Sequence, residues 1–350
     1  MDMVYNHQLY QEDLAYVAGY TNGSFDWEQL ENKTVLVTGA TGLIGSFLID
    51  SLLYRNMRYG SNITIYAISR NQDAAQKRFA AHWDNPLFHY FSHDIAKPLT
   101  LNNTADFIIH GAGNSYLTSY MADPVGTMKA NLWGLANLFD YSVLQHIARI
   151  LYISSGEIYG EGIGEDFVES YSGYVDPLNQ RSCYSSSKRA AETLGVAYST
   201  QYGIDVVIAR PCHIYGPSIT ENDNRAFAQF IRNVAAKKNI VLKSKGEQYR
   251  SYCYVADCVT ALLTILLYGQ NATAYNIANK DSKVSIVDLA GIIASAGNKS
   301  VVFDMPKADT GYSVIKKAVL NADRLESLGW KAKYSLQDGL ARTLEILRSK

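Results

Sequence analysis

The sequence predicts an α/β fold, a doubly wound parallel sheet with a smaller C-terminal α+β lobe. Two observations carry this. Short apolar, often β-branched runs alternate with helical segments from residue 34 to residue 209, and such alternation builds a parallel sheet covered on both faces. The first of those runs also passes directly into Gly39-Ala40-Thr41-Gly42-Leu43-Ile44-Gly45 and then a helix, a strand–turn–helix unit suited to a bound pyrophosphate.

The elements follow in order. Residues 34–37 are the first strand, and the helix over residues 42–54 spaces Leu43, Ile44, Phe47, Leu48, Leu52 and Leu53 along one face. Further strands are predicted at residues 63–68, 89–91, 107–110, 150–154 and 206–209, with helices at 72–82, 124–145 and 184–202. Beyond Pro211 the alternation loosens into helices over 225–236, 255–267, 286–296 and 336–347. The chain thus divides into an arm of residues 1–32, a dinucleotide-binding Rossmann domain of residues 33–209, and a lobe of residues 210–350 of which some segments return to the first. The arm carries a short helix at 12–18 that packs on the main domain or on a partner.

Composition narrows the function classes. The chain has 350 residues, enough for one large domain or two fused lobes. Apolar residues at 47% and charged residues at 19% exclude a disordered chain. Lys and Arg number 32 against 33 Asp and Glu, so the basic excess of a nucleic-acid binder is missing. No apolar run reaches the ~18–20 residues of a membrane span; the longest, residues 255–268, contains Asp257. Residues 1–20 lack the basic-then-apolar pattern of a secretory signal. Cys183, Cys212, Cys253 and Cys258 form no C-x-x-C pair, and no His/Cys spacing suits zinc. They read as reduced thiols of a cytoplasmic protein with no metal site.

In the phosphate-binding turn, one glycine makes the turn, one lets the backbone approach a pyrophosphate and one lets helix and strand pack closely. The N–H groups of the following helix face the anion. Gly39, Thr41, Gly42, Leu43, Ile44 and Gly45 are therefore candidate cofactor contacts. The second strand ends in Ser69-Arg70. An acid there would bind the ribose 2′-hydroxyl of NAD, whereas a Ser-Arg pair suits the 2′-phosphate of NADP. NADP(H) is favoured, with NAD(H) the alternative. Asp94 and Ile95, after the third strand, are placed to meet the adenine.

Tyr184 and Lys188 are four residues apart on a predicted helix and share a face. The Lys188 ammonium is expected to lower the Tyr184 phenol, which ordinarily titrates near about 10. A tyrosinate can take the proton of a substrate hydroxyl while hydride leaves the same carbon. The fifth strand ends in Ser154-Ser155, where a hydroxyl can bond the reacting oxygen. Glu157, two residues on, would point the same way on an extended segment, and a dry cleft would raise its carboxyl into acid/base range. His213 reads as a substrate contact, and His110 as structural.

Together these residues resemble the extended short-chain dehydrogenase/reductase family, the NAD(P)-dependent nucleotide-sugar epimerases and dehydratases. The resemblance spans residues 33–347. It rests on GATGLIG, HGAG at 110–113, NLWGLANL from Asn131, SSGEIYG at 154–160, YSSSK at 184–188, RPCHIYGP at 210–217 and LGW at 328–330. It implies cofactor contacts from Gly111, Ala112, Gly113, Asn131, Ser154 and Pro211 in addition to Tyr184 and Lys188. Within the family the chain looks most like the UDP-glucuronate decarboxylases. Their T-S-E-V-Y-G, Y-W-G-x-V-x-P and R-x-C-Y-x-x-x-K-R elements are similar to residues 155–160, 171–177 and 181–189 here. Asn222-Asp223-Asn224-Arg225 and Gln248-Tyr249-Arg250 match that subgroup's substrate-contact regions. By resemblance, Ser155 is the catalytic hydroxyl, Glu157 an additional acid/base, and Tyr120, Arg181, Arg225 and Arg250 contact the sugar or diphosphate, for which guanidinium is a bidentate donor.

Three positions depart from the pattern. Gly156 stands where one dehydratase subgroup has an Asp general acid, His213 replaces the Asn of R-x-x-N-x-Y-G-P, and Ser69-Arg70 replaces the acidic NAD signature. The expected activity is oxidation of a ring hydroxyl, at C4, of a nucleotide-diphosphate sugar, followed by decarboxylation or dehydration. The alternatives are an NADPH-dependent reductase of a nucleotide-linked keto sugar or ketose, a 4-epimerase, and a non-catalytic dinucleotide sensor, against which the intact Tyr184, Lys188 and Ser155 set argues. The resemblance also implies a homodimer through the helices at 124–145 and 184–202.

Overall fold

The computed structural model describes residues 4–23, 25–162, 166–220, 223–305 and 317–349. In chain order its helices are α1 (Gln8–Ala18), α2 (Leu43–Tyr59), α3 (Gln72–Arg78), α4 (Leu117–Ala122), α5 (Pro124–Gln145), α6 (Ser182–Tyr202), α7 (Ala226–Ala235), α8 (Val255–Tyr268), α9 (Ile286–Ala296), α10 (Asp323–Glu326) and α11 (Leu336–Arg348). Its strands are β1 (Thr34–Thr38), β2 (Thr64–Ser69), β3 (Phe88–Ser92), β4 (Phe107–His110), β5 (Arg149–Ile153), β6 (Val206–Pro211), β7 (His213–Tyr215), β8 (Ile240–Leu242), β9 (Tyr249–Tyr254), β10 (Thr273–Ile277), β11 (Lys283–Ser285), β12 (Val301–Phe303) and β13 (Lys317–Ala318).

Seven strands form a parallel sheet in the order β10-β6-β5-β4-β1-β2-β3. Alternate side chains along each strand serve opposite faces. Val35, Val37, Ile65, Ala67, Ile109, Leu151 and Val207 pack with α1, α2 and α8. Leu36, Ile68, Ile108, Ile150, Tyr152 and Ile208 pack with α5 and α6. Both faces are thereby covered, as a doubly wound sheet requires. The edge strand β10 lies beyond residue 209 in the chain. A second sheet, β11-β9-β13 with β7 against β9, stands beside β6 and carries Arg250 and His213.

The arm is anchored to its own chain. His7 caps α1 by accepting from the Leu9 N–H at 3.2 Å, which starts the helix earlier than the apolar spacing alone predicts. The Tyr10 hydroxyl donates to Asp50 Oδ2 at 2.5 Å. Asp13 is fully buried, and accepts from the Tyr254 hydroxyl at 2.5 Å and from Arg342 Nε at 2.9 Å. A buried carboxylate stripped of its cation is costly. Arg342→Met should therefore lower stability by about 3 kcal/mol in urea unfolding; a change below about 0.5 kcal/mol would show that Asp13 does not need this partner.

Candidate active site

The end of β1 and the start of α2 form a glycine cradle. Gly39 has φ +71°, and a Cβ there would lie 2.6 Å from the Gly111 carbonyl oxygen. A Cβ on Gly45 would lie 2.5 Å from the carbonyl oxygen of Gly39. Gly42 begins α2 with no side-chain cap, so the first helical N–H groups stay available to an anion. These glycines, with Leu43, Arg70, Gly111 and Gly113, line a cavity of about 560 Å³. Asn131 Oδ1 and Ser154 Oγ are buried with no hydrogen-bond partner among the described residues. Narrow glycines and orphaned polar atoms are what a cradle for a dinucleotide provides.

The remaining predicted cofactor residues are placed variously. Arg70 is exposed at the cavity wall. Ser69 is turned to the Tyr90 hydroxyl at 3.1 Å. Ser154, Lys188 and Pro211 line the neighbouring cavity. Thr41, Ile44, Ala112, Asp94 and Ile95 line neither cavity. Asp94 accepts from the Ala96 N–H at 3.1 Å, and buried Ile95 packs against Gly134 while its carbonyl accepts from Asn137 at 2.9 Å.

The second cavity, of about 680 Å³, brings Tyr184, Lys188, Ser155, Glu157, Tyr120, Arg181, His213, Arg225 and Arg250 together. It shares Gly111, Gly113, Ser115 and Arg225 with the first, so the two are halves of one cleft. Two hydrogen bonds cross beside it, between Tyr116 and Thr220 at 2.8 Å and from Asn224 to Thr118 at 2.6 Å.

Tyr184 is buried, stacked on Tyr120 at 5.3 Å and 10°, and near enough to the Ser155 hydroxyl for it to act on the phenol. Burial pushes its phenol up to about 12, with Ser155 and Arg225 acting the other way. This reverses the expectation that Lys188 depresses it. Lys188 donates instead to the Ile153 carbonyl at 2.9 Å, and its own burial brings the ammonium down to about 7. Desolvation outweighs helical proximity here, because both groups sit in the same dry site.

Glu157 corrects two expectations. Ser155 caps a single 3₁₀ turn, Gly156–Tyr159, by accepting from the Glu157 N–H at 3.1 Å. Glu157 is thus on a turn and not on an extended segment, and it is exposed at the cavity edge and not held in a dry pocket. Leu320 approaches Gly156 closely: a Cβ there would lie 3.1 Å from Leu320 Cδ1, so the leucine would have to give by a few tenths of an ångström.

Three guanidiniums face the cavity. Arg225 is paired with buried Asp223 at 2.5 Å and lies over Phe227 at 4.7 Å. Arg250 is buried, donates to the Tyr249 carbonyl at 2.8 Å and lies within the field of Glu157. Arg181 lies close enough to Tyr120 for its charge to act on that phenol. His213 packs against Tyr252 at 5.5 Å; burial first, then Arg250 and Arg225, push its imidazole down to about 3, so it is neutral and available as a hydrogen-bonding group only. Of the matched Asn222–Arg225 stretch, Asn222 lies outside the described residues. Tyr252, Leu320, Phe227 and Lys243 also line the cavity without having been singled out by spacing, since they come from four separate segments. Among the described residues no group of three or more His, Cys, Asp or Glu could hold a metal.

Comparison with known proteins follows this geometry. The profile of the NAD dependent epimerase/dehydratase family matches residues 35–278. UDP-glucuronic acid decarboxylase 3 of Arabidopsis thaliana is 33% identical over 318 residues, covering 91% of this chain and 90% of the relative. UDP-glucuronic acid decarboxylase 1 of Xenopus tropicalis is 31% identical over 320 residues, covering 91% and 73%. Among solved structures, UDP-glucose 4-epimerase of Thermotoga maritima with UDP-glucose superposes with TM-score 0.76 at 20% identity, covering 90% and 98%. The dTDP-glucose 4,6-dehydratase DesIV of Streptomyces venezuelae with NAD does so with TM-score 0.76 at 23% identity, covering 90% and 97%. These two likenesses establish the shared fold.

The cradle makes a direct prediction. Gly45→Ala must open the turn against the Gly39 carbonyl, so dinucleotide affinity should fall by roughly tenfold or more in calorimetric titration. Unchanged affinity would mean that no pyrophosphate sits on this turn.

Proposed function

The chain belongs to the NAD-dependent epimerase/dehydratase family, and within it we propose that this protein oxidises a nucleotide-diphosphate-linked uronic acid at C4 and decarboxylates it. The observation that carries the reading is the Tyr184–Ser155 pair, with Lys188 beside it, where the glycine-lined and arginine-lined halves of the cleft meet. Three guanidiniums support an anionic substrate with more charge than a diphosphate alone. UDP-glucuronic acid decarboxylases 3 and 5 of Arabidopsis thaliana span nine-tenths of this chain and of their own length.

The residues present fit a nicotinamide dinucleotide. Gly39, Gly42 and Gly45 would take the pyrophosphate, Asn131, Ser154 and Lys188 the nicotinamide end, and Arg70 the 2′ position. That cofactor would supply hydride acceptance and return at C4. Ser155 donates to the C4 oxygen and Tyr184 removes the hydroxyl proton, with Lys188 beside it. With a ketone at C4, the C5 carboxylate is β to it. The C5–C6 bond then breaks with release of CO₂, and its electron pair passes to the C4 oxygen. Protonation at C5 restores the ketone; Glu157, at the cavity edge, would deliver that proton. Tyr184 gives its proton back when C4 is reduced.

Arg70 at the cavity wall, with no acid at the end of β2, favours NADP(H) over NAD(H). The same observation supports a second reading, a net NADPH-dependent reductase of a nucleotide-linked keto sugar. Val125, Trp133 and Leu144 on α5 and Val196 and Tyr202 on α6 are exposed, and large apolar side chains left exposed on these two helices support a homodimer through them. The four free cysteines support a cytoplasmic setting. No helix among the described residues is long and apolar enough to cross a membrane.

Tyr184→Phe should lower turnover of the nucleotide sugar by roughly 10²–10⁴-fold while dinucleotide binding persists; equal turnover would sink the proton-transfer role. Arg70→Ala should weaken NADP⁺ binding by roughly tenfold or more and leave NAD⁺ binding almost unchanged. Parallel losses for both would reject Arg70 as the 2′-phosphate contact.

A further inference from the structure

Lys188 is only 4% exposed, and a charged amine in so dry a place needs compensation. Among the described residues no carboxylate pairs with it. Glu192, one turn along α6, is held by Arg210 through bonds of 3.0 and 2.6 Å. Its Nζ has the Ile153 carbonyl at 2.9 Å and lies 4.7 Å from the ring centroid of Tyr152 on β5. The Tyr184 ring is farther, at 5.9 Å.

Tyr152 is 1% exposed, and its hydroxyl has no hydrogen-bond partner among the described residues. His110 stacks on that ring at 5.6 Å and 18°, with Nδ1 hydrogen-bonded to Thr38 Oγ1 at 2.7 Å. Burial, then Lys188, pushes the His110 imidazole down to about 3, so no second cation competes for the ring. Tyr152 and Ser154 lie two apart on one strand and its continuation, so the ring that meets Lys188 is tied to the backbone of the catalytic cleft.

We propose that Tyr152 is a positioning residue for the reaction: the face of its ring holds the Lys188 ammonium charged and in place beside Tyr184. The electron-rich ring face attracts a cation most strongly where water is excluded. The effect on turnover rests on the proposed function; the ring–ammonium interaction does not. The groups facing Lys188 are Tyr184 and Glu192 from α6, Tyr152 from β5 and His110 from β4. Burial already brings Lys188 down to about 7, and Glu192 acts the other way. A cation held less well loses its proton at lower pH.

The test replaces Tyr152 by phenylalanine and by phenylalanines carrying successive fluorines, which keep the shape and strip charge from the ring face. The Lys188 side chain is titrated by NMR in ¹³C-lysine-labelled protein, its signal assigned by loss in Lys188→Met. Tyr152→Phe should titrate close to the unsubstituted protein. The fluorinated series should move the midpoint downward step by step, by about one pH unit at full fluorination, and the alkaline limb of kcat should move with it. Tyr152→Leu, where it folds, should give the whole shift at once. A constant midpoint across the series overturns the proposal. A moving midpoint with a fixed kcat profile overturns the positioning role. Absence of nucleotide-sugar turnover before any substitution counts against the proposed function instead, and leaves the titration readable.

Discussion

Burying the positive charge of Lys188 is the constraint on which the rest of the cleft depends. The amine has left water, and three elements of the fold compensate: a carbonyl at the end of β5, an aromatic ring one residue earlier on that strand, and the geometry of α6 that brings Tyr184 into the same space. Each is set by the parallel sheet. β5 must run between β4 and β6 for Tyr152 to stack on His110 and for Ser154 and Ser155 to emerge at its carboxyl end. That end is where ligands bind in open α/β sheets.

Around the buried charge the cleft divides its labour by residue type. Glycine dominates where backbone would approach a phosphate, and a Cβ at Gly39 or Gly45 would lie 2.6 or 2.5 Å from a neighbouring carbonyl oxygen. Arginine dominates where an anionic substrate would lie, and the charge of Arg225 is moderated by Asp223. The second sheet delivers Arg250 and His213 from adjacent strands, so the substrate half is built from chain far beyond the dinucleotide turn. The arm fastens the back of the assembly through the buried carboxylates of Asp13 and Asp50.

The six strands up to residue 211 and the long helices α5 and α6 were legible because each is a contiguous signal: a short apolar run, or apolar spacing over several turns. β9 was not. Five of its six residues are buried, so it lacks the polar alternation of a half-exposed strand. β10 contains Thr273 and Asn276, whose polarity is satisfied by tertiary partners: Asn276 bonds Tyr159, Phe167 and Asn321. The site residues carried by local motifs, Tyr184, Lys188, Ser155 and the glycines, were equally readable. The sign of the Tyr184 shift was not, because desolvation belongs to the folded cleft and leaves no mark on spacing. Tyr152 was passed over for the same reason, as its ring reads as core in the sequence and its place over Lys188 exists only in the folded cleft.

The most direct measurement is the mass and evolved gas of the product formed from UDP-glucuronate by the purified protein supplied with NAD(P)⁺. Loss of one carbon dioxide, with dinucleotide unchanged over the cycle, is the expected result, since the oxidised β-keto acid decarboxylates and C4 is then reduced. An unchanged mass, a loss of water alone, or stoichiometric consumption of NADPH on a keto sugar without gas would contradict it.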